Sequence, residues 1–456
     1  MDFTELYKQT SSLVAFSPGS HFILTAVQDR IIVRRTDSFQ IARTWLVNTA
    51  PSPTHALLAS SKSKAGTASD GWVSHAGWSR DSEYIFAACA KRGVVAVYKM
   101  EDEEWNARIE AGPEGLVKAE WAPDGRSILC FSEWGLRVTI WSLISGTATY
   151  IQYPKHPDRG YTFRRDGRYL VLAERHKSKD TIGVYDATDL WKLVRHFPLP
   201  TNSISSLSLS PNGDHIAVWE GPFEYKLHVL NLAGHTLGSF VPDPDPGLGI
   251  RCVAWHPAGS FLAAAGWDDK IHILNSISWT EVASLDITGR IPSTATLWRE
   301  PPNWLEATHG RGFLQYERVP TPHSITLIRP SITKPQSKAG IAQLEWNVTG
   351  TLLFVRSENS PTALYPITHA RWNPIRSGSL VIACDTAGVY TWSDEWISEG
   401  ADLAEEIAEC VGIPAKNFQN KDTRWGPDGK ALLLLDKETF CCAFEVDDED
   451  DHGTEE

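Results

Sequence analysis

No stretch of this chain reaches 18 consecutive apolar residues, so no membrane-spanning helix is expected. No Cys-x-x-Cys pair occurs. The seven cysteines, Cys89, Cys130, Cys252, Cys384, Cys410, Cys441 and Cys442, are scattered and odd in number. That argues against a disulfide framework and for a reducing compartment, with thiols used as small apolar side chains. Cys441 and Cys442 are adjacent, so in a strand they face opposite ways; a vicinal disulfide is the alternative. The phosphate loop Gly-x4-Gly-Lys-Ser/Thr, the His-Glu-x-x-His helix and the Gly-x-Ser-x-Gly elbow are all missing. Fifteen histidines lack metal-ligand spacing. No catalytic, cofactor-binding or metal-binding residue is nominated, and no enzyme is expected. A basic excess is missing too: 43 Lys and Arg stand against 56 Asp and Glu, a net charge of −13. Such a chain is poorly suited to grip nucleic acid, an acidic membrane or the acidic microtubule lattice directly. The sequence shows no charged, apolar, small-residue leader, and a cytoplasmic or nuclear location is expected.

What is abundant is tryptophan, with 19, and a recurring turn. Residues 250–275 show the pattern. An apolar run ends at Trp255, His256-Pro257-Ala258-Gly259 turns, 261–265 returns, 266–270 turns again, and 271–274 alternates. Pro fixes φ and Gly accepts positive φ, so the runs form an antiparallel meander. Alone, so small a sheet cannot cover its faces. Copies follow the turn glycines 125, 167, 213 and 259, in steps of 42, 46 and 46 residues. That period marks a four-stranded propeller blade. Weaker copies at Phe16, Trp78, Trp346, Trp372 and Trp425 bring the count to nine. Trp78, Trp121, Trp255, Trp346, Trp372 and Trp425 share one blade position, where packing between blades is expected. The fold class is therefore all-β: a β-propeller with a single large ring of about nine unequal blades, seven or eight being the alternatives.

Residues 1–12 hold the extended segment Phe3-Thr-Glu-Leu-Tyr7. The last unit stops after its third strand, 440–444, so Phe3 to Tyr7 is expected to supply the fourth and close the ring. Residues 13–48 form the first unit, and 49–74, rich in Ser and Ala, read as a flexible insertion. Regular blades occupy 75–289. Residues 290–340 are an irregular, Pro-rich insertion or a degenerate blade. C-terminal blades fill 341–444. There the step from Trp346 to Trp372 is only 26 residues, too short for four strands. Leu403, Ile407 and Val411 recur every fourth residue, which predicts a short amphipathic helix near 402–411. The tail, 445–456, has eight acidic residues in twelve and is expected to be solvated and disordered.

Propeller strands run radially, so the links between second and third strands open on one face. These links carry Glu133, Trp134, Glu174, Arg175, His176, Glu220, Trp267 and Asp268. They are the candidate partner-binding residues, a rim of acids and aromatics that would suit a basic peptide or helix. The competing reading is that each acid caps its own turn.

The repeats resemble the WD-repeat family, with the Trp-Asp dipeptide standing as Trp141-Ser142, Tyr185-Asp186, Leu230-Asn231, Leu274-Asn275 and Trp392-Ser393. The wider layout is similar to the WRAP-type centrosomal and spindle-pole WD-repeat proteins. That likeness rests on Met1-Asp-Phe-Thr-Glu-Leu6, residues 91–98, 150–154 and 163–169, Leu172-Ala-Glu-Arg175 and Glu224-Tyr-Lys226. The resemblance implies a non-catalytic scaffold in the cytoplasm, at the cytoskeleton's microtubule organising centre (spindle pole body or centrosome). Its implied partners are a coiled-coil spindle-pole anchoring protein and a minus-end-directed kinesin. Through them it would tether microtubule minus ends and support the mitotic spindle, reaching microtubules only indirectly. The alternative is a translation-initiation-factor-like propeller binding ribosomal subunits.

Overall fold

Apolar runs separated by Pro- and Gly-bearing turns fold locally into antiparallel meanders, and the computed structural model contains nine of these in a ring. It describes residues 1–50, 68–301, 313–327, 340–359, 367–396 and 405–445. Units 1–6 are four-stranded sheets in chain order, spanning 14–46, 75–110, 118–152, 161–198, 204–240 and 250–286. Unit 7 is, among the described residues, only the pair Ile341–Trp346 and Leu353–Ser357. Unit 8 spans 369–412 and unit 9 spans 422–444. Among the described residues the architecture is thus eight full blades and one two-stranded wedge, in line with the shortening expected from the Trp346–Trp372 step.

Five of the shared tryptophans bind their unit to the one before it. Trp78 donates its indole N–H to the Ala15 carbonyl (3.2 Å), Trp121 to Gly77 (3.0 Å) and Trp346 to Ala254 (3.3 Å). Trp372 donates to Glu345 (3.0 Å) and Trp425 to Arg371 (3.2 Å). Every acceptor immediately precedes the matching aromatic of the preceding unit. One atom pair therefore repeats around the ring, because each blade presents the same strand to its neighbour. Trp255 breaks the series: its indole N–H is buried with no partner.

The ring closes through residues near the N-terminus. Asp2–Phe3 and Tyr7–Lys8 pair antiparallel with Thr439–Phe444, Phe3 opposite Ala443 and Tyr7 opposite Phe440. Four steps of chain, 3 to 7, thus face three, 443 to 440, so one residue bulges. Thr4 holds the bulge: its N–H donates to the Cys442 carbonyl and its hydroxyl accepts from the Cys442 N–H, both at 3.0 Å. Cys442 faces Val14 and Ile23 of unit 1, whereas Cys441 faces Phe418 and Val381 on the unit 8 side. Both thiols are free, and burial pushes the Cys441 thiol up to about 12.

Three expectations are corrected or decided. The helix near 402–411 is instead the strand Glu405–Gly412, the fourth of unit 8. A spacing of four fits a period of two as well as 3.6, and pairing on both edges settles it as a strand. The described residues of 290–327 form an excursion of short pairings and no four-stranded blade. The chain leaves unit 6, pairs with itself (Arg290 with Ser324, Trp298 with Arg318), and sends Phe313–Gln315 out as a fifth strand on unit 8. Within 49–74, Ala68–Gly71 forms a 3-10 turn and Val73 is buried. The remainder of the expected flexible segment, 51–67, lies outside the described residues, as does the tail beyond Glu445.

The seams between units are unequal. Unit 5 meets unit 6 over Trp219, Leu227, Phe240, Leu262, Leu274 and Trp279. Unit 7 meets unit 8 with no buried apolar cluster among the described residues. That seam rests on polar contacts: Gln343 Nε2 to the Ala370 carbonyl (2.6 Å), Asn347 Nδ2 to Ser377 (2.8 Å) and Arg356 Nη1 to Ile367 (3.1 Å).

Candidate interaction site

The second-to-third links of units 3–6 do open on one face, but their side chains have different fates. In unit 3, Ser132 locks the link by donating its hydroxyl to the Arg137 carbonyl (2.8 Å) and accepting the Arg137 N–H (2.9 Å). Glu133 lies exposed on the resulting 3-10 turn. Trp134 stands at φ 60°, ψ 14° and is 89% exposed. A bulky residue in the left-handed region costs on the order of 1 kcal/mol or more, and this one recovers nothing by burial.

In unit 4 the link is a two-residue turn, Lys177-Ser178, with φ of 48° and 65°, matching the twist of its long strands. Glu174 faces inward. It accepts from the Tyr185 hydroxyl and sits 3.2 Å from His196 Nε2. Burial raises its carboxyl above the ordinary range and also drives the Tyr185 hydroxyl upward. Asp180 is buried between Lys155 Nζ (3.1 Å) and the Ile204 N–H (2.7 Å), with Arg175 at 3.8 Å. Arg175 and His176 are themselves exposed.

Glu220 of unit 5 is 2% exposed and accepts the N–H groups of Asn202 (2.9 Å) and Ser203 (3.0 Å). In unit 6, Trp267 is half-buried under the Arg251 guanidinium at 4.7 Å. Asp268 is half-buried; burial raises its carboxyl, and one of its oxygens has no partner.

The expected acidic rim is therefore not formed. Glu174 and Glu220 serve the fold, because buried backbone N–H and hydroxyl groups need acceptors more than the surface needs charge. The structure instead assembles an aromatic patch with exposed cations on units 3 and 4. Trp134 and Leu136 adjoin Tyr153, whose N–H donates to the Leu136 carbonyl (3.1 Å), and the Tyr153 ring lies 5.6 Å from His176. Tyr153 is 49% exposed, at φ 60°. The exposed charges alongside are Glu133 against Arg175, Lys177 and Lys179. Phe223, 83% exposed in unit 5, and Trp267 lie one and two units farther round. Tyr153 and Phe223 escaped the sequence reading; the Gly-Pro-Phe turn at 221–223 was the available signal for the second. Among the described residues no group of three His, Cys, Asp or Glu side chains is placed to hold a metal.

The family model for the WD domain, G-beta repeat, matches residues 230–275, the end of unit 5 and most of unit 6. The WD repeat-containing protein WRAP73 of Mus musculus is 29% identical over 97% of this chain and 96% of its own. A WD repeat-containing protein of Schizosaccharomyces pombe, uncharacterised, is 19% identical over 100% of this chain and 95% of its own. From end to end the chain is similar to the WRAP-type WD-repeat proteins. Beside that full-length likeness, translation initiation factor 3 subunit I of Caenorhabditis elegans matches this chain only in part. It is 30% identical over 24% of this chain and 34% of its own. Among solved structures, the C-terminal WD40 domain of Sif2 superposes with a TM-score of 0.52 at 12% identity. The match covers 97% of this chain and 99% of the Sif2 domain, a likeness of fold alone.

Proposed function

We propose that this WRAP-type protein is a non-catalytic scaffold of the cytoplasmic cytoskeleton, working at the spindle pole body or centrosome. It holds a coiled-coil anchoring protein and a minus-end-directed kinesin, and so tethers microtubule minus ends. The observation that carries the reading is the near end-to-end similarity to WRAP73. The aromatic patch of units 3 and 4 supports it, since exposed aromatics held in place and ringed by charge suit protein recognition. Its cations, Arg175, Lys177 and Lys179, complement an acidic stretch of coiled coil and not the basic one that the sequence suggested. Weak contacts to two partners in one complex add through effective concentration.

Affinity purification of the full chain after cross-linking tests the reading. Coiled-coil and kinesin partners are expected, with the coiled-coil partner reduced when Trp134 is replaced by Ala. Recovery of ribosomal subunits would instead favour the initiation-factor reading, for which the partial match to factor 3 subunit I is the supporting observation.

A further inference from the structure

The turn after the second strand of unit 5 and the link that follows its fourth strand form another surface, on the face that carries the patch of units 3 and 4. Both segments are tied down. Pro222 sets the entry to the turn Gly221-Pro222-Phe223-Glu224, which closes with the Glu224 N–H on the Gly221 carbonyl (3.2 Å). Glu224 accepts from Asn202 Nδ2 (3.1 Å), and Tyr225 is buried beside the Phe240 and His272 rings. The link 241–249 holds three prolines, 242, 244 and 246, and folds back so that the Gly249 N–H donates to the Pro222 carbonyl (2.7 Å). A Cβ at position 249 would clash with the Gly221 carbonyl oxygen, so glycine is what lets the two segments meet.

This framework presents apolar side chains to solvent. Phe223 is 83% exposed, Val241 45% and Leu248 43%. Phe223 and Leu248 flank the bond between Pro222 and Gly249, and Val241 follows Phe240 at the root of the link. The backbone beneath them is fixed, so little freedom is left to lose on docking. Grouped exposed apolar side chains of this kind mark a contact surface.

Charge decides what fits. Lys226 is paired with Glu224 (3.6 Å), and Asp245 accepts the Gly247 N–H (2.9 Å). Asp243 and Asp245 are exposed, and neither has a cationic partner among the described residues. The surface is thus apolar and acidic, opposite in sign to Arg175, Lys177 and Lys179 on unit 4. An acidic segment or an anionic membrane is repelled here. Geometry decides the shape of the occupant. Phe223, Val241 and Leu248 stand on loops and not on a sheet edge, so an extended segment gains no ladder, whereas a helix docks through its side chains alone.

We infer that this surface docks an amphipathic helix of a partner protein, apolar on one face and flanked by Lys or Arg. The apolar stripe covers Phe223, Val241 and Leu248, and the flanking cations reach Asp243 and Asp245. The acids beside an exposed aromatic that the sequence suggested are thus met here, by residues other than those nominated. The surface is separate from the patch of units 3 and 4, and the inference stands whether or not the spindle-pole reading does.

The test uses the full chain and a fluorescent helical peptide of Ala, Leu and Lys, its Leu on one face, read by anisotropy at physiological salt. Saturable binding is expected, and the same peptide with Glu for Lys should not bind. Phe223→Ser, and separately Asp243→Asn with Asp245→Asn, should each weaken binding about tenfold or more, a loss of about 1.4 kcal/mol. All three side chains are exposed, so both variants should keep the wild-type melting temperature. Trp134→Ala should bind as the wild type does. Absence of saturable binding, unchanged affinity of either variant, or an equal loss on Trp134→Ala overturns the proposal. So does tighter binding of the Glu peptide. Self-association of the full chain that Phe223→Ser abolishes would make a second copy the occupant and likewise overturn it.

Discussion

At the scale of single residues, two kinds of tryptophan separate. The inter-blade series uses each indole as a wedge and a donor. Trp121→Phe keeps most of the wedge and orphans the Gly77 carbonyl, so it should cost about 1–2 kcal/mol in urea denaturation. Trp255→Phe removes a donor that is already buried without a partner, so it should cost clearly less than Trp121→Phe, or stabilise. Equal losses would show that the repeating N–H contact carries no energy. Trp134 is the opposite case: exposed, strained, and supporting nothing. Trp134→Gly should leave the denaturation midpoint unchanged or raise it, while weakening partner capture; a large loss of stability would remove it from the candidate site. The six matched tryptophans were legible in the sequence because the turn motif fixes their register. The fate of the acids was not. Whether Glu220 points at solvent or at the Asn202 and Ser203 amides depends on how the loop entering its own blade from unit 4 folds back, to which the sequence gives no coordinate.

At the scale of elements, ring closure is the sensitive point. Deleting residues 1–8 strips the last unit of its fourth strand, exposes Phe440 and Phe444, and opens a long edge. Loss of the two ring contacts of Tyr7, with Phe440 and Phe39, and of the burial of Phe3 and Tyr7 should cost on the order of 3–5 kcal/mol. Chemical denaturation should show an early transition, and an unaltered midpoint would mean that the closing strand is ornamental. The same closure explains why the 402–411 segment misled. Its fourth-residue repeat suits a helix in isolation. In the sheet, Gly388–Trp396 pairs along one edge of Glu405–Gly412 and Phe313–Gln315 pairs with 409–411 on the other, which holds the segment as a strand.

For the whole molecule, charge and titration give two expectations. A net charge of −13 works against direct contact with an acidic lattice, so the isolated protein should not co-pellet with microtubules at physiological salt, whereas a reconstituted complex with its partners should. Co-pelleting alone would remove the indirect-tether reading. Burial lowers the affinity of His75, His156, His228 and His369 for protons below the ordinary histidine value. The unfolded chain then binds more protons at mildly acid pH, so stability falls as pH drops below about 6.5, the unfolded value, and goes on falling until the folded-state values are passed. The melting temperature should therefore drop between pH 7.5 and pH 5.5. His228→Gln, which keeps a side-chain polar group near Ser239, should flatten part of that slope. Glu174 opposes the trend, since its raised carboxyl is relieved by protonation at lower pH.

The sequence by itself determined the repeat, the blade period, the register of the inter-blade aromatics, the shortened unit and the need for a closing strand. All of these follow from local chain chemistry: turn residues at fixed offsets and alternation of apolar side chains. Only the tertiary structure decided which acids are spent on buried amides, where the described part of the excursion after unit 6 pairs, and that the seam between units 7 and 8 rests, among the described residues, on polar contacts. Those depend on which surfaces meet once the ring is closed, and contacts between residues far apart in the chain leave no local period to read.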